Sequence, residues 1–151
     1  MTPAAALSVA KQFHHAFELC RGNGLTSLDG RVNPDIPGVV NLAFAIELAL
    51  KASLLSYRRS VRQHQLKKLY ESLPEPDREF IRSNVPFDAA RFEAGLEAVS
   101  DAFTGWRYIH EESGTKSISL EFLMHLWHAS SKLAKQKRKE QRDALILAIK
   151  K

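Results

Sequence analysis

Apolar residues recur along this chain at spacings of three and four and never in sustained alternation, so the pattern predicts helices and no sheet. Leu7, Ala10, Phe13, His14 and Phe17 fall on one helical face. Thr2-Pro3 offers a capping hydroxyl and a first-turn proline, and Gly22 suits a helix end. Residues 22–38 hold four glycines and two prolines among few periodic apolar positions. They predict a loop of roughly fifteen residues, long enough to suggest a role in binding or assembly.

Residues 39–57 are the most apolar part of the chain. Val39, Ala43, Ile46, Leu50 and Leu54 mark one stripe, while Leu42, Ala45, Leu48 and Ala49 fill much of the remaining circumference. A helix apolar nearly all round belongs at the centre of its bundle. A short helix is predicted over 65–73, closed by Pro74-Glu75-Pro76, and another turn or two over 77–83. Asp88 can cap a long helix over 88–112, in which Phe92, Leu96, Val99, Phe103, Trp106 and His110 step by three and four before Ser113-Gly114. Ser119, with Glu121 in the first turn, opens a last helix whose stripe is Leu120, Leu123, Met124 and Trp127. The expected fold is an all-α antiparallel bundle of five to six helices, centred on 39–57 and 88–112.

Composition adds bounds. The 151 residues are 44% hydrophobic and 26% charged, which suits one globular domain. Cys20 is the one cysteine, so neither a disulfide framework nor a Cys-based zinc site is expected, and a reducing cytoplasm is. Polar groups interrupt the apolar runs before about 18 residues, so no membrane span is expected. The start lacks a basic segment ahead of its alanines, so no signal peptide is expected.

The formal charge of +5 is unevenly placed. Residues 132–151 hold eight basic and two acidic side chains, whereas residues 1–131 hold 14 and 15. The expected organisation is therefore a nearly neutral bundle over 1–131 and a basic tail over 132–151. Residues 135–143 offer nothing to a core and predict a projecting helix or loose tail. Ala144 to Ile149 is apolar again, and predicts docking on the body or on another chain.

Asn41, Glu47 and Lys51 interrupt the apolar helix. Glu47 and Lys51, four apart, are in the favourable order for a helical ion pair. Glu47 lies within Ala45-Ile46-Glu47-Leu48-Ala49, where burial would demand a partner. Arg107, in the aromatic stretch around Trp106, offers a planar fork suited to a carboxylate. Two readings stand: a structural Glu47–Arg107 bridge, or a ligand or catalytic cleft lined by these residues.

These residues also carry a resemblance. Residues 37–51 resemble the second helix of a group of bacterial HEPN-domain proteins. His64-Gln65-Leu66-Lys67-Lys68-Leu69 and Ala102-Phe103-Thr104-Gly105-Trp106-Arg107-Tyr108-Ile109-His110-Glu111 follow in the order of that group's HxLxxL and AFxxWRYxxE stretches. The resemblance spans roughly residues 37–130. It implies an antiparallel bundle, frequent homodimerisation, and either nucleotide binding or metal-independent RNA cleavage, often in defence or toxin–antitoxin systems.

The catalytic branch of that superfamily carries an Arg, four to six residues, then a His. The Arg stabilises phosphorane charge and the His moves protons at neutral pH. Arg107 matches, but positions 112–114 are Glu, Ser and Gly, and His110 lies only three residues on. The resemblance therefore implies a degenerate or non-catalytic module binding a nucleotide, RNA or a partner protein. Asn41, Glu47, Lys51, Arg107, His110 and Glu111 would form its polar cluster. The alternative is a ribonuclease using Arg107 with His110 or His64. Arg58 and Arg59 do precede His64 at the permitted spacing, but about one such match is expected by chance. A further alternative is a structural interaction protein, with His64 a capping or packing residue.

Other motifs add little. Glu121, His125 and His128 share a helical face, but His125 is flanked by apolar neighbours and no complementary ligand set is evident, so neither metal nor cofactor is expected. His14-His15 reads as surface polarity and Cys20 as a small packing residue. No phosphate-binding glycine loop occurs.

Overall fold

The computed structural model describes residues 1–22, 35–107 and 118–149. Among these lie the helices α1 (Pro3–Gly22), α2 (Asp35–Ser56), α3 (Leu66–Glu71), α4 (Glu75–Ser83), α5 (Ala89–Val99), α6 (Ala102–Arg107) and α7 (Leu120–Ile149), and no strand. The all-α bundle expected from the apolar spacing is the fold observed.

Local chemistry sets several helix starts. The Thr2 hydroxyl accepts from the Ala5 amide at 3.1 Å, the Asp88 carboxylate from the Arg91 amide at 2.8 Å, and the Ser119 hydroxyl from the Phe122 amide at 3.2 Å. Helix α2 begins at Asp35 rather than residue 39, because a proline such as Pro37 is tolerated in a first turn. Gly38 faces α1. A Cβ there would meet the Cys20 Cβ at 3.4 Å and the Phe17 ring at 3.6 Å.

At its other end α2 closes in a Schellman motif. Arg59 N–H donates to the Leu54 carbonyl at 3.1 Å and Arg58 N–H to the Leu55 carbonyl at 2.9 Å. Arg58 occupies the left-handed position at φ 58°.

Helix α2 packs against α1, α6 and α7. Its stripe residues Ala43, Ile46, Leu50 and Leu54 are fully buried, as are Leu42, Ala45 and Ala49 on its other sides. Ile36–Ser56 is long and apolar enough to cross a membrane by length and composition, with mean hydropathy 1.7 despite Asn41, Glu47 and Lys51; most of it is buried inside the bundle.

The helix expected over 88–112 breaks at Ser100 and Asp101. The cause is tertiary. The Ser100 carbonyl accepts from the Leu66 amide at 2.9 Å, and Gln65 Nε2 donates to Asp101 Oδ1 at 2.9 Å. The chain end of α5 thereby satisfies a free donor at the start of α3, and α6 sets off afresh. The centre is accordingly α2 with α1 and α7, while α5 packs on α3. Ser113 and Gly114 lie outside the described residues, as does most of the loop expected over 22–38.

Helix α7 runs unbroken through residues 131 and 132. Leu133 and Ala134 are buried in the bundle. Lys137 Nζ reaches the buried Asp77 carboxylate at 3.0 Å, and Gln141 Nε2 donates to the Ser56 carbonyl at 2.9 Å. The polar stretch 135–143 is thus a helix that touches the body through Lys137 and Gln141 and leaves most of its other side chains exposed. Beyond it the docking expected of the apolar end is not made on the body: Leu145, Leu147 and Ile149 are 62%, 66% and 77% exposed.

Candidate functional site

Glu47 sits on the central helix and is 1% exposed. Burial of a carboxylate is costly unless charge and hydrogen bonds compensate. Its Oε1 accepts from Lys51 Nζ at 2.7 Å and lies 3.0 Å from His64 Nδ1. Its Oε2 is buried and makes no hydrogen bond among the described residues. Arg107 was the partner expected for Glu47. Instead Lys51 answers from one turn on, and His64 from the extended segment between α2 and α3.

His64 is not the cap of the short helix that follows; Gln65 holds that position. Its side chain is 55% exposed. With Nδ1 on the carboxylate, Nε2 is the free ring nitrogen, the arrangement in which a carboxylate orients an imidazole for proton transfer or anion contact.

An aromatic column forms the wall beside this group. Phe13 of α1 meets Phe44 of α2 edge-on at 4.5 Å, and Phe44 stacks on Phe103 of α6 at 4.5 Å and 17°. Each such contact adds about 1 kcal/mol beyond burial. The His64 ring lies 5.9 Å from the Phe103 ring, and the Arg107 guanidinium carbon 5.4 Å from its centroid. The fold thus places His64 and Arg107 about one partly exposed phenyl ring, with Glu47 and Lys51 joined to it through the His64 contact. Half-buried Asn41 lies one turn before Phe44 and does not hydrogen-bond to this group. His110 and Glu111 lie outside the described residues.

The sequence pattern held no sign of the Glu47–His64 contact, since seventeen residues and a non-periodic segment separate them. The role of Phe103 was equally hidden, because its spacing marks it as one more stripe residue.

Two further histidines are placed by packing. His14, expected as surface polarity, is 20% exposed and stacks on Trp127 at 4.5 Å and 14°. Burial pushes its pKa down, against the opposing pull of Glu18. His125 meets the edge of Phe87 at 5.7 Å.

A second polar junction ties α2, α4 and α7. The Tyr57 hydroxyl donates to Asp77 Oδ2 at 2.9 Å, and Lys137 lies over the Tyr57 ring at 5.2 Å while bridging Asp77. Burial disfavours the Lys137 charge, but the bonds to Tyr57 and Asp77 outweigh it and raise its pKa.

No family model matches the chain, and no curated protein or solved structure does.

Proposed function

We propose that this protein is a HEPN-like helical module of the cytoplasm that binds a nucleotide, or the nucleotide unit of an RNA, at the corner of Glu47, Lys51, His64, Phe103 and Arg107 without cleaving it. The observation that carries the reading is the placing of the His64 imidazole and the Arg107 guanidinium about one phenyl ring, with the Glu47 carboxylate withdrawn from solvent. A phosphate would meet donors there rather than negative charge, and a base would find an aromatic surface. Asn41, His110 and Glu111 join the same cluster by the resemblance.

Thermal unfolding against a panel of nucleoside mono-, di- and triphosphates tests this. A ligand at one hundred times its dissociation constant stabilises the fold by about 2.7 kcal/mol, or roughly 5–10 °C for a chain of this length. His64→Gln and Arg107→Ala should each abolish the gain. If no nucleotide shifts the transition at millimolar concentration and Arg107→Ala unfolds the chain, the corner is structural and the protein is an interaction module.

One observation favours a second reading. The Glu47–His64 hydrogen bond is the orientation a metal-independent ribonuclease needs, with His64 as acid and base and Arg107 as the phosphate cation. Total RNA incubated with the protein in EDTA should then be cut, and His64→Gln should stop it. Intact RNA at high protein concentration ends that case.

The exposed Leu145, Ile146, Leu147 and Ile149 support a homodimer as the assembled form. Light scattering should then give twice the 17.0 kDa chain mass, and Leu145→Lys with Leu147→Lys should return the monomer.

A further inference from the structure

Helices α1 and α7 leave between them a groove of about 360 Å³ lined by Leu7, Lys11, Lys135, Arg138, Lys139 and Arg142. Five of these six residues are cations, from both helices, and none is acidic. Lys135, Arg138, Lys139 and Arg142 step by three, one and three along α7, so they form one stripe. Like charges at that spacing repel, and each pair costs a few tenths of a kcal/mol in an isolated helix.

Of the nearby carboxylates only Asp143 pairs with the stripe, at Arg142. Glu140 turns to Lys137 and Gln136, and Asp143 meets Arg142 at 3.4 Å. Among the described residues Lys11, Lys135, Arg138 and Lys139 form no ion pair. A second groove on the same two helices is lined by His14, Arg21 and His128 but also by Glu18, so the wholly cationic lining belongs to the Lys11–Arg142 groove.

We propose that the α1–α7 groove is a track for the sugar-phosphate backbone of single-stranded nucleic acid, held without regard to base sequence. Three features select this ligand. The cations line both sides of a concavity, which suits a strand better than a flat lipid surface. Two helices packed side by side leave room for one strand, not for a duplex between them. The apolar floor residue, Leu7, is only 2% exposed, so the groove itself offers nothing to insert into a bilayer. The proposal rests on the nucleotide reading above for the class of ligand, and on none of its residues.

The test is fluorescence anisotropy of the full chain with a labelled twelve-residue oligouridylate over 50–300 mM salt. Single-strand binding loses about 0.7 in the log–log salt slope for each phosphate neutralised, so five contacts predict a slope of about −3.5. Lys135→Ala with Arg138→Ala should flatten it by about 1.4 and weaken binding, with the circular dichroism unchanged. Oligothymidylate should bind comparably, and Lys68→Ala, an exposed lysine elsewhere, should leave the slope alone. The double variant should keep any mononucleotide stabilisation while its RNA salt slope flattens, so the groove and the corner fail separately. The proposal is overturned by an unchanged slope in the double variant. It is equally overturned by no RNA binding at 50 mM salt, or by groove-dependent binding to phosphatidylserine vesicles but not to RNA.

Discussion

Gly95 lies inside α5 with its Cα facing the Phe122 ring of α7. A Cβ there would stand 2.5 Å from Cδ2 and Cε2 of that ring and 3.0 Å from Cγ. Ordinary carbon contacts sit near 3.5–4.0 Å, so Gly95→Ala demands that the ring retreat by about 1 Å. The ring has little freedom to do so. Phe122 is 2% exposed, its neighbour Phe87 stacks at 5.9 Å, and Phe92 lies at 5.8 Å.

Two effects oppose each other in this substitution. Alanine gains about 1 kcal/mol over glycine in a helix interior. Overpacking a core contact costs about 1–3 kcal/mol, and an overlap against a boxed-in ring belongs at the upper end. The expected result is a net loss of about 2 kcal/mol, or a fall in Tm of about 4–8 °C. Urea titration followed by circular dichroism measures it, with two-state behaviour checked by a second probe. In a double-mutant cycle Phe122→Leu should recover about 1–2 kcal/mol of the Gly95→Ala penalty. A Gly95→Ala protein as stable as the parent would refute the reasoning. It would mean that the ring swings into the groove beside it, lined by Phe87, Arg91 and Ser119.

Lys137→Met leaves the buried Asp77 with only the Tyr57 hydroxyl, and should cost about 2–4 kcal/mol in urea titration; a loss under 0.5 kcal/mol would mean that water replaces the ammonium. Arg58→Gly relieves a left-handed residue at the α2 terminus and should raise stability by about 1 kcal/mol, read as a higher urea midpoint at unchanged m. The depressed pKa of His14 makes the unfolded chain the better proton acceptor, so its contribution to stability is complete above about pH 6.5 and declines as pH falls below that value toward the folded-state pKa. In a pH series of melting curves, His14→Phe should keep the stack on Trp127 and flatten that part of the decline; an unchanged profile would assign the decline to other groups.

Comparing residues shows where local information suffices. Asp88, Ser119 and Thr2 cap their helices through side chains that reach amides three residues away, so the pattern of adjacent residues identifies them. Lys51 was legible as a partner of Glu47 for the same reason, one helical turn being a local distance. The residues of the candidate corner were visible as polar interruptions of apolar stripes, but their pairing was not. Which cation answers a buried carboxylate depends on how the extended segment before α3 returns to α2, and no periodicity encodes that path.

The sequence by itself determined that the chain is all-helical, that 39–57 lies at the centre and that the positive charge gathers after residue 131. Each follows from spacing or composition, which act within a turn or two. Only the tertiary structure decided that α5 stops at Val99, that His64 rather than Arg107 meets Glu47, and that Lys11 joins the α7 stripe across a groove. These depend on groups distant in the chain competing for the same carbonyl, carboxylate or space, and that competition is settled only when the helices have packed.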